Sequence, residues 1–521
     1  MSSRRRFLLT ASGLIAATPL ASAWASASGT NPFSLGVASG CPRPDRVTLW
    51  TRIAPNPLQG GGGPVGDLSV RCRVCRDPEL TDTVIDTLVS APAEDAHSVH
   101  FTARGLEPHR EYFYQFYLGE DASPMGRTRT APAEDSDVPV RLAVASCQHL
   151  EYGYYAAYAD MAKAVPDLIV HLGDYIYEYA PGPLGKSSST FNGQTIEVNR
   201  VRQHAGPELR TLWDYRNRYA QYRLDRDLQA AHAAAPWLAA FDDHEVDNNW
   251  AGYVPEDPER QTELEFRVRR WAAFKAYYEH MPLEHAPHLR GTSSSLRLYD
   301  RFDFGRQLSL LLLDTRQFRS DQPCGQAFPA DDDCPQRSDP RLTMTGRSQE
   351  RWLKRQLRRS DARWKVLAQQ TWFSQLRYPQ ARYNMDQWDG YPAQRQRLQG
   401  MLADPELGNP VILSGDWHCG AAMNVLEDFS RPESAPVAAE LAVTSISSPC
   451  VWAGAVSQAL PENPHVRYFG GDARGYLWCN VTSEALTAQY RVVEAPERAD
   501  SALRLDRALR VSAGRRGFEP A

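Results

Sequence analysis

Two patterns of apolar positions divide the chain. From about residue 31 to 135 the apolar residues come in short runs bounded by Pro and Gly, such as Val47-Thr48-Leu49-Trp50, Leu68–Val74 and Tyr112–Tyr117. Runs of this kind predict strands, and several of them in roughly a hundred residues predict a β-sandwich domain. Gly60–Gly63 supplies a flexible turn, and Leu106-Glu107-Pro108 before a Tyr-rich strand has the look of a fibronectin-like corner. The polar, Pro-containing stretch Thr130–Asp137 reads as a linker. Beyond it, over residues 138–495, apolar strands alternate with helical stretches. The strands are expected at Val140–Ala145, Leu168–Leu172, Trp237–Phe241, Leu308–Leu313, Trp364–Ala368 and Val411–Ser414. The helices are expected at Tyr154–Val165, Leu212–Ala235, Glu259–Met281 and Ser348–Arg359. The first two strands and the helix between them form a βαβ unit. Glu440–Ile446 and Gly475–Val481 are expected to complete a second sheet, and residues 496–521 read as a charged tail without assignable order.

Composition changes this picture little. The 521 residues suffice for two or three domains, and a net charge of -5 gives no case for a stable nucleic-acid partner. The N-terminus changes it more. Arg4-Arg5-Arg6, an apolar stretch from Phe7 to Leu20 and small residues to Ala27 predict a twin-arginine signal peptide over residues 1–27. The stretch is too short to span a bilayer, and no later segment is long and apolar enough. The protein is therefore expected in the periplasm or outside the cell, after passage through the Tat machinery. Nine cysteines in an exported chain imply oxidising surroundings. Cys324 and Cys334 flank a Pro- and Asp-rich loop and form a candidate disulfide. Pairings among Cys41, Cys72, Cys75, Cys419, Cys450 and Cys479 stay open.

The candidate chemistry lies in four polar clusters, each just after an expected buried strand: Ser146-Cys147-Gln148-His149, Gly173-Asp174-Tyr175-Ile176-Tyr177, Asp242-Asp243-His244-Glu245 and Gly415-Asp416-Trp417-His418. Ligands of α/β sheets bind outside the carboxyl ends of strands. Cys147 alone reads first as a buried core thiol, with a metal ligand and a nucleophile as the functional readings. Asp174-x-x-Tyr177 could be a helix cap with a core tyrosine, but after a strand and a Gly it suits a bridging carboxylate and a phenolate ligand. Three carboxylates within Asp242–Glu245 would repel one another without cations or Arg partners. Asp416-x-His418 is weak alone and gains weight from the other three. Arg202, Arg210, Arg216, Arg218, Arg223, Arg316 and Arg319 are candidates for holding a phosphate, with none singled out.

These motifs, with Asn31–Gly40 and Asp314-Thr315-Arg316-Gln317, resemble in their order the PhoD-type alkaline phosphatase/phosphodiesterase family of the calcineurin-like metallophosphoesterases, over almost the whole mature chain. The resemblance implies an α/β fold, a four-layer α/β/β/α metallophosphoesterase sandwich preceded by an all-β sandwich domain. It also implies an Fe3+ site with Ca2+ beside it, expected as two ions. Cys147, Asp174, Tyr177 and His418 would ligate iron, with Asp174 bridging to calcium. Asp243 would stand where the superfamily has a metal-binding Asn, Asp416 would ligate calcium, and His244 would be catalytic. Where the superfamily has a metal-binding His, this chain has Gln369-Gln370, which would give oxygen ligands suited to calcium. His149 stands two residues after Cys147, where the superfamily often has a ligating His.

The expectation is thus an exported, monomeric phosphoric ester hydrolase acting on monoesters through a metal-activated water. The alternatives are a phosphodiesterase or phospholipase D-like hydrolase acting on teichoic acid, phospholipid or nucleic acid, a surface binding protein with a structural metal, and a hydrolase with Cys147 as nucleophile.

Overall fold

Two large sheets stack face to face, and the site lies along one edge of the stack. The computed structural model describes residues 31–191, 194–325, 328 and 334–519, so the expected signal peptide lies outside the described residues. The centre of the first sheet is a parallel trio, with Leu168–His171 between Val140–Ala145 and Pro236–Ala239. The centre of the second is a parallel run of Leu308–Leu312, Trp364–Ala368, Asn409–Ser414 and Pro436–Ala442. The central strands are almost wholly apolar because both faces are covered. Leu142, Val144, Leu168, Val170 and Leu238 of one sheet meet Leu310, Val366, Val411, Leu413 and Leu441 of the other in one buried cluster. On the outer face of the first sheet, Ala143, Ile169 and Trp237 pack against Tyr158, Met161, Phe274 and Tyr277 from the helices. On the outer face of the second, Leu311, Leu367 and Ile412 pack against Leu353, Leu357, Leu398 and Leu402. The order helix, sheet, sheet, helix is the expected four-layer sandwich.

The N-terminal β region is joined to this body more closely than a linker suggests. Val37–Arg43 pairs in parallel with Pro236–Ala239, and Arg46–Arg52 and Ser98–Arg104 follow it to the edge of the first sheet. A separate five-stranded sheet, built on Leu68–Cys75 and Glu111–Leu118, covers these strands. Val47, Leu49 and Val99 meet Val70, Cys72, Tyr114 and Phe116 in the sandwich core.

Three expectations are corrected. The helical stretch Leu212–Ala235 is two helices, Leu212–Arg223 and Arg226–Ala234, because the Asp225 side chain accepts from the backbone N–H groups of Asp227 and Leu228 and caps a new start. The strand expected at Gly475–Val481 belongs to the first sheet, antiparallel to Val140–Ala145, and does not complete the second. The C-terminal tail is ordered: Leu503–Ser512 pairs along Ala485–Val493 as an edge strand, and Val511 and Phe518 are buried. Its outward positions are mostly charged, which is how natural edges discourage further pairing. The disulfide Cys324–Cys334 is present.

Candidate metal centre

All four clusters meet at the carboxyl ends of the central strands. Backbone bonds tie the first two loops together: Cys147 N donates to Gly173 O at 3.1 Å and Gln148 N to Asp174 O at 3.0 Å. The third loop closes on the second because Gly173, at φ 113°, leaves no room for a side chain; a Cβ there would lie 2.4 Å from Asp242 Cβ. Glu245 clamps the pair, accepting from the N–H groups of Asp174 at 3.1 Å, Tyr175 at 2.5 Å and Asp242 at 2.8 Å.

Cys147, Asp174, Asp416 and His418 all have φ between 54° and 64°. Left-handed backbone costs a non-glycine residue about 1–2 kcal/mol. Four such residues in one small space turn side chains inward that an extended strand end would splay apart, and strain of this kind gathers at functional sites.

The ligand-type atoms of Cys147, Asp174 and His418 lie within 4.8 Å of one another, as do those of Asp174, Asp242, Asp243 and Asp416. Asp174 belongs to both sets. The Tyr177 hydroxyl joins the first, 3.0 Å from Asp174 Oδ2, 3.1 Å from His418 Nε2 and 2.8 Å from Ser448 Oγ. His418 Nδ1 donates to Pro449 O at 3.0 Å, which fixes the tautomer and leaves the Nε2 lone pair facing the cluster. Burial holds the His418 imidazole neutral, with its pKa near 3.

The donor set fits cations on observations of this chain. Burial pushes the Cys147 thiol, the Tyr177 phenol and the Asp174 carboxyl well above their usual ranges. It raises Asp416 to about 7, against the pull of Arg316. Asp242 Oδ2 and Asp243 Oδ1 are buried without a hydrogen-bond partner. Arg316 Nη2 lies 3.7 Å from Asp243 Oδ1, and buried carboxylate oxygens without a hydrogen bond are costly unless a cation or donor meets them. Sulfur, phenol and imidazole on one side of Asp174 suit a transition metal, and the carboxylates on the other suit a hard cation.

Asp242 is shared between this centre and a buried arginine. Its Oδ1 accepts from Arg316 Nε, whose guanidinium is fully buried and also donates to Asp386 at 3.0 Å. Arg319 and Gln322 complete the shell of Asp386, at 2.6 and 2.7 Å. The expected glutamine ligands are a correction. Gln369 Oε1 accepts from Trp388 Nε1 at 2.8 Å, and its amide donates to Ser414 Oγ at 3.1 Å. Gln370 Oε1 accepts from the N–H and hydroxyl of Thr315, and its amide donates to Leu313 O at 3.0 Å. Both amides bind the ends of neighbouring strands and face away from the cluster. His149 lies against the Tyr177 and His204 rings, centroids 4.3 and 4.9 Å away, and forms a separate buried group with Glu151 and His204.

His244 stands at the rim, 8% exposed, with its ring on that of Tyr177 at 4.2 Å. Its Nδ1 donates to Glu178 Oε2 at 2.8 Å, so Nε2 faces outward. Burial works against a charge on His244, but Glu178, Asp243 and Asp174 outweigh it and hold the imidazole protonated well above its ordinary range. Glu178 escaped the sequence reading although it follows Tyr177 directly. Asp386 escaped it too, since it sits in a loop with no strand pattern before it.

The family model for the PhoD-like phosphatase matches residues 142–490, and that for the PhoD-like phosphatase N-terminal domain matches residues 19–132. Alkaline phosphatase D of Bacillus subtilis (strain 168) is 44% identical over 471 residues, covering 89% of this chain and 78% of that protein. A solved structure of PhoD superposes with a TM-score of 0.85 at 40% identity, covering 94% of this chain and 92% of that one. The purple acid phosphatase PPD1 of yellow lupin (Lupinus luteus) seeds shares the fold at 11% identity, with a TM-score of 0.50 over 90% of this chain and 73% of that one. The chain belongs to the PhoD-like phosphatase family and is a phosphoric ester hydrolase.

Proposed function

We propose that the protein is an exported alkaline phosphatase that hydrolyses phosphate monoesters at an Fe3+ and Ca2+ centre. The observation that carries this reading is the double membership of Asp174, between a sulfur, phenol and imidazole set and a set of carboxylates. Cys147, Tyr177, His418 and Asp174 would hold the iron; Asp174, Asp243 and Asp416 would face the calcium. Cations held there supply an acidified water as nucleophile and neutralise charge on the phosphoryl oxygens.

The remaining work falls to the chain itself. Water attacks phosphorus in line with the leaving oxygen, and His244 Nε2 hands that oxygen a proton. Glu178 holds the imidazole in the donor orientation and balances its charge. Burial keeps competing water from Tyr177 and Cys147, which are 2% and 0% exposed. Cys147 has no free face for a nucleophilic role, and export by the twin-arginine route as a monomer completes the proposal.

Hydrolysis of an aryl phosphate monoester and an aryl phosphodiester, before and after chelation and reloading, tests it. Activity should vanish on stripping, return with iron and calcium, and favour the monoester. Undiminished hydrolysis by stripped protein would overturn the metal assignment, and a faster diester rate would make the protein a phosphodiesterase.

A further inference from the structure

The arginines that the sequence offers as phosphate holders before the third cluster are engaged elsewhere. Arg202 pairs with Asp225 at 2.6 Å, Arg210 with Glu208 at 2.9 Å and Arg216 with Glu279 at 2.6 Å, while the Arg223 guanidinium lies 4.1 Å over the Trp50 ring. Arg218 differs from all of these. It is fully buried, and its guanidinium donates to backbone carbonyls of the loop that carries the second cluster.

Arg218 stands in the middle of a helix face that reaches three of the four loops of the centre. Tyr215, Arg218 and Tyr222 follow one another at spacings of three and four residues, so they line one buried side of the helix Leu212–Arg223. The Tyr215 hydroxyl donates to Val246 O at 2.5 Å, just past the third cluster. The Tyr222 hydroxyl accepts from Leu150 N at 3.1 Å, just past the first. Between them Arg218 Nη1 donates to Tyr177 O and, at 3.1 Å, to Tyr179 O, and Nη2 donates to Pro207 O at 3.2 Å. The carbonyls of Tyr177 and Tyr179 bracket Glu178. Tyr177 sends its hydroxyl to Asp174 and His418, and Glu178 sends its carboxylate to His244. One guanidinium thus grips the backbone that carries both a member of the metal set and the partner of His244.

We propose that Arg218 is a positioning residue, which sets the Tyr177 hydroxyl toward the metal and the Glu178 carboxylate toward His244 at the same time. The inference rests on the roles proposed above for those two side chains. The planar fork of a guanidinium reaches several carbonyls in fixed directions, whereas a lysine ammonium is a single point of charge. Burying that charge is costly, and an apolar side chain of similar length would avoid the cost, so Arg218→Met is expected to fold. What that variant gives up is the grip on Tyr177 O and Tyr179 O. A displacement of about 1 Å in a side chain that serves the chemistry costs on the order of 100-fold in rate.

Full-length protein loaded with iron and calcium, as wild type, Arg218→Lys and Arg218→Met, tests this. The readouts are metal content with thermal melts, the visible absorption band, and kcat and KM over a series of leaving groups. Both variants should fold and retain iron, and in both the phenolate-to-iron band should weaken and shift. kcat should fall on the order of 10- to 100-fold with KM little changed, and alkyl phosphates should lose more than nitrophenyl phosphate. Arg218→Lys should stand between wild type and Arg218→Met. Variants that melt earlier but keep the wild-type band and leaving-group dependence would make Arg218 a residue of the fold alone and overturn this proposal without touching the proposed function. Failure of both variants to fold would overturn it as well, since placement would then be inseparable from folding. A wild-type protein without the band would overturn the iron assignment and this proposal with it.

Discussion

Glu178→Gln isolates the part of the chemistry that this chain performs with its own side chains. Glu178 is 1% exposed and lies 2.8 Å from His244 Nδ1, too deep to touch a substrate. Two full charges at that distance attract by about 6 kcal/mol at an effective dielectric of 20, which sets a ceiling. The net worth of a hydrogen bond to a charged group is lower, about 1.5–3 kcal/mol. Glutamine keeps the shape and can still accept from Nδ1, but it removes the charge that stabilises the protonated ring. If the bond acts on proton transfer to the leaving oxygen, kcat falls roughly 10- to 150-fold. KM should change little. The loss should grow with the basicity of the leaving group, so that alkyl phosphates suffer more than nitrophenyl phosphate. Steady-state kinetics over a series of leaving groups, with metal content and thermal melts measured alongside, give the answer. An equal loss for every leaving group, or a kcat that does not move for alkyl phosphates, would refute the role assigned to the pair.

Further outcomes follow from other contacts. Asp167 accepts from Arg129 at 2.7 Å and from the Arg141 side chain and backbone at 2.9 Å, and so fastens the N-terminal β region to the first βαβ unit. Burial raises its carboxyl, but the bonds from Arg141 and Arg129 outweigh this and depress it below 3.8. Its stabilisation is therefore present above the unfolded value near 3.8 and is lost as pH falls through the folded value. Asp167→Asn should cost about 2–3 kcal/mol in urea unfolding at neutral pH, with the gap to wild type closing below pH 3.8; a gap that widens in acid would contradict the sign. Gln369→Leu removes the partner of Trp388 and should cost about 1–3 kcal/mol of stability while calcium content by elemental analysis stays unchanged; loss of calcium would return Gln369 to the ligand set.

Much of the site is legible in sequence for a specific physical reason. A ligand cluster that follows a buried parallel strand is placed by that strand, so Cys147, Asp174, Asp243 and His418 converge wherever the sheets do. The inner apolar faces of the strands fix the sheets equally well, and every central strand lies within a few residues of its expected place. What depends on side-chain direction is not legible. Gln369 and Gln370 follow the right strand, yet their amides turn to Trp388 and Thr315. Glu178 is adjacent to a motif, but its meaning depends on His244, 66 residues later. The left-handed backbone at Cys147, Asp174, Asp416 and His418 has no sequence mark, since none of them is a glycine. Leu503–Ser512 was masked by charge on its solvent face, which is a property of edge strands as much as of tails.

The most direct measurement is the visible absorption spectrum of the purified protein and of Tyr177→Phe, read against iron and calcium content. Wild-type protein should carry iron and calcium and show a phenolate-to-iron charge-transfer band, which Tyr177→Phe should lose while the fold persists. A colourless, fully active wild-type protein containing zinc in place of iron would contradict the proposed centre.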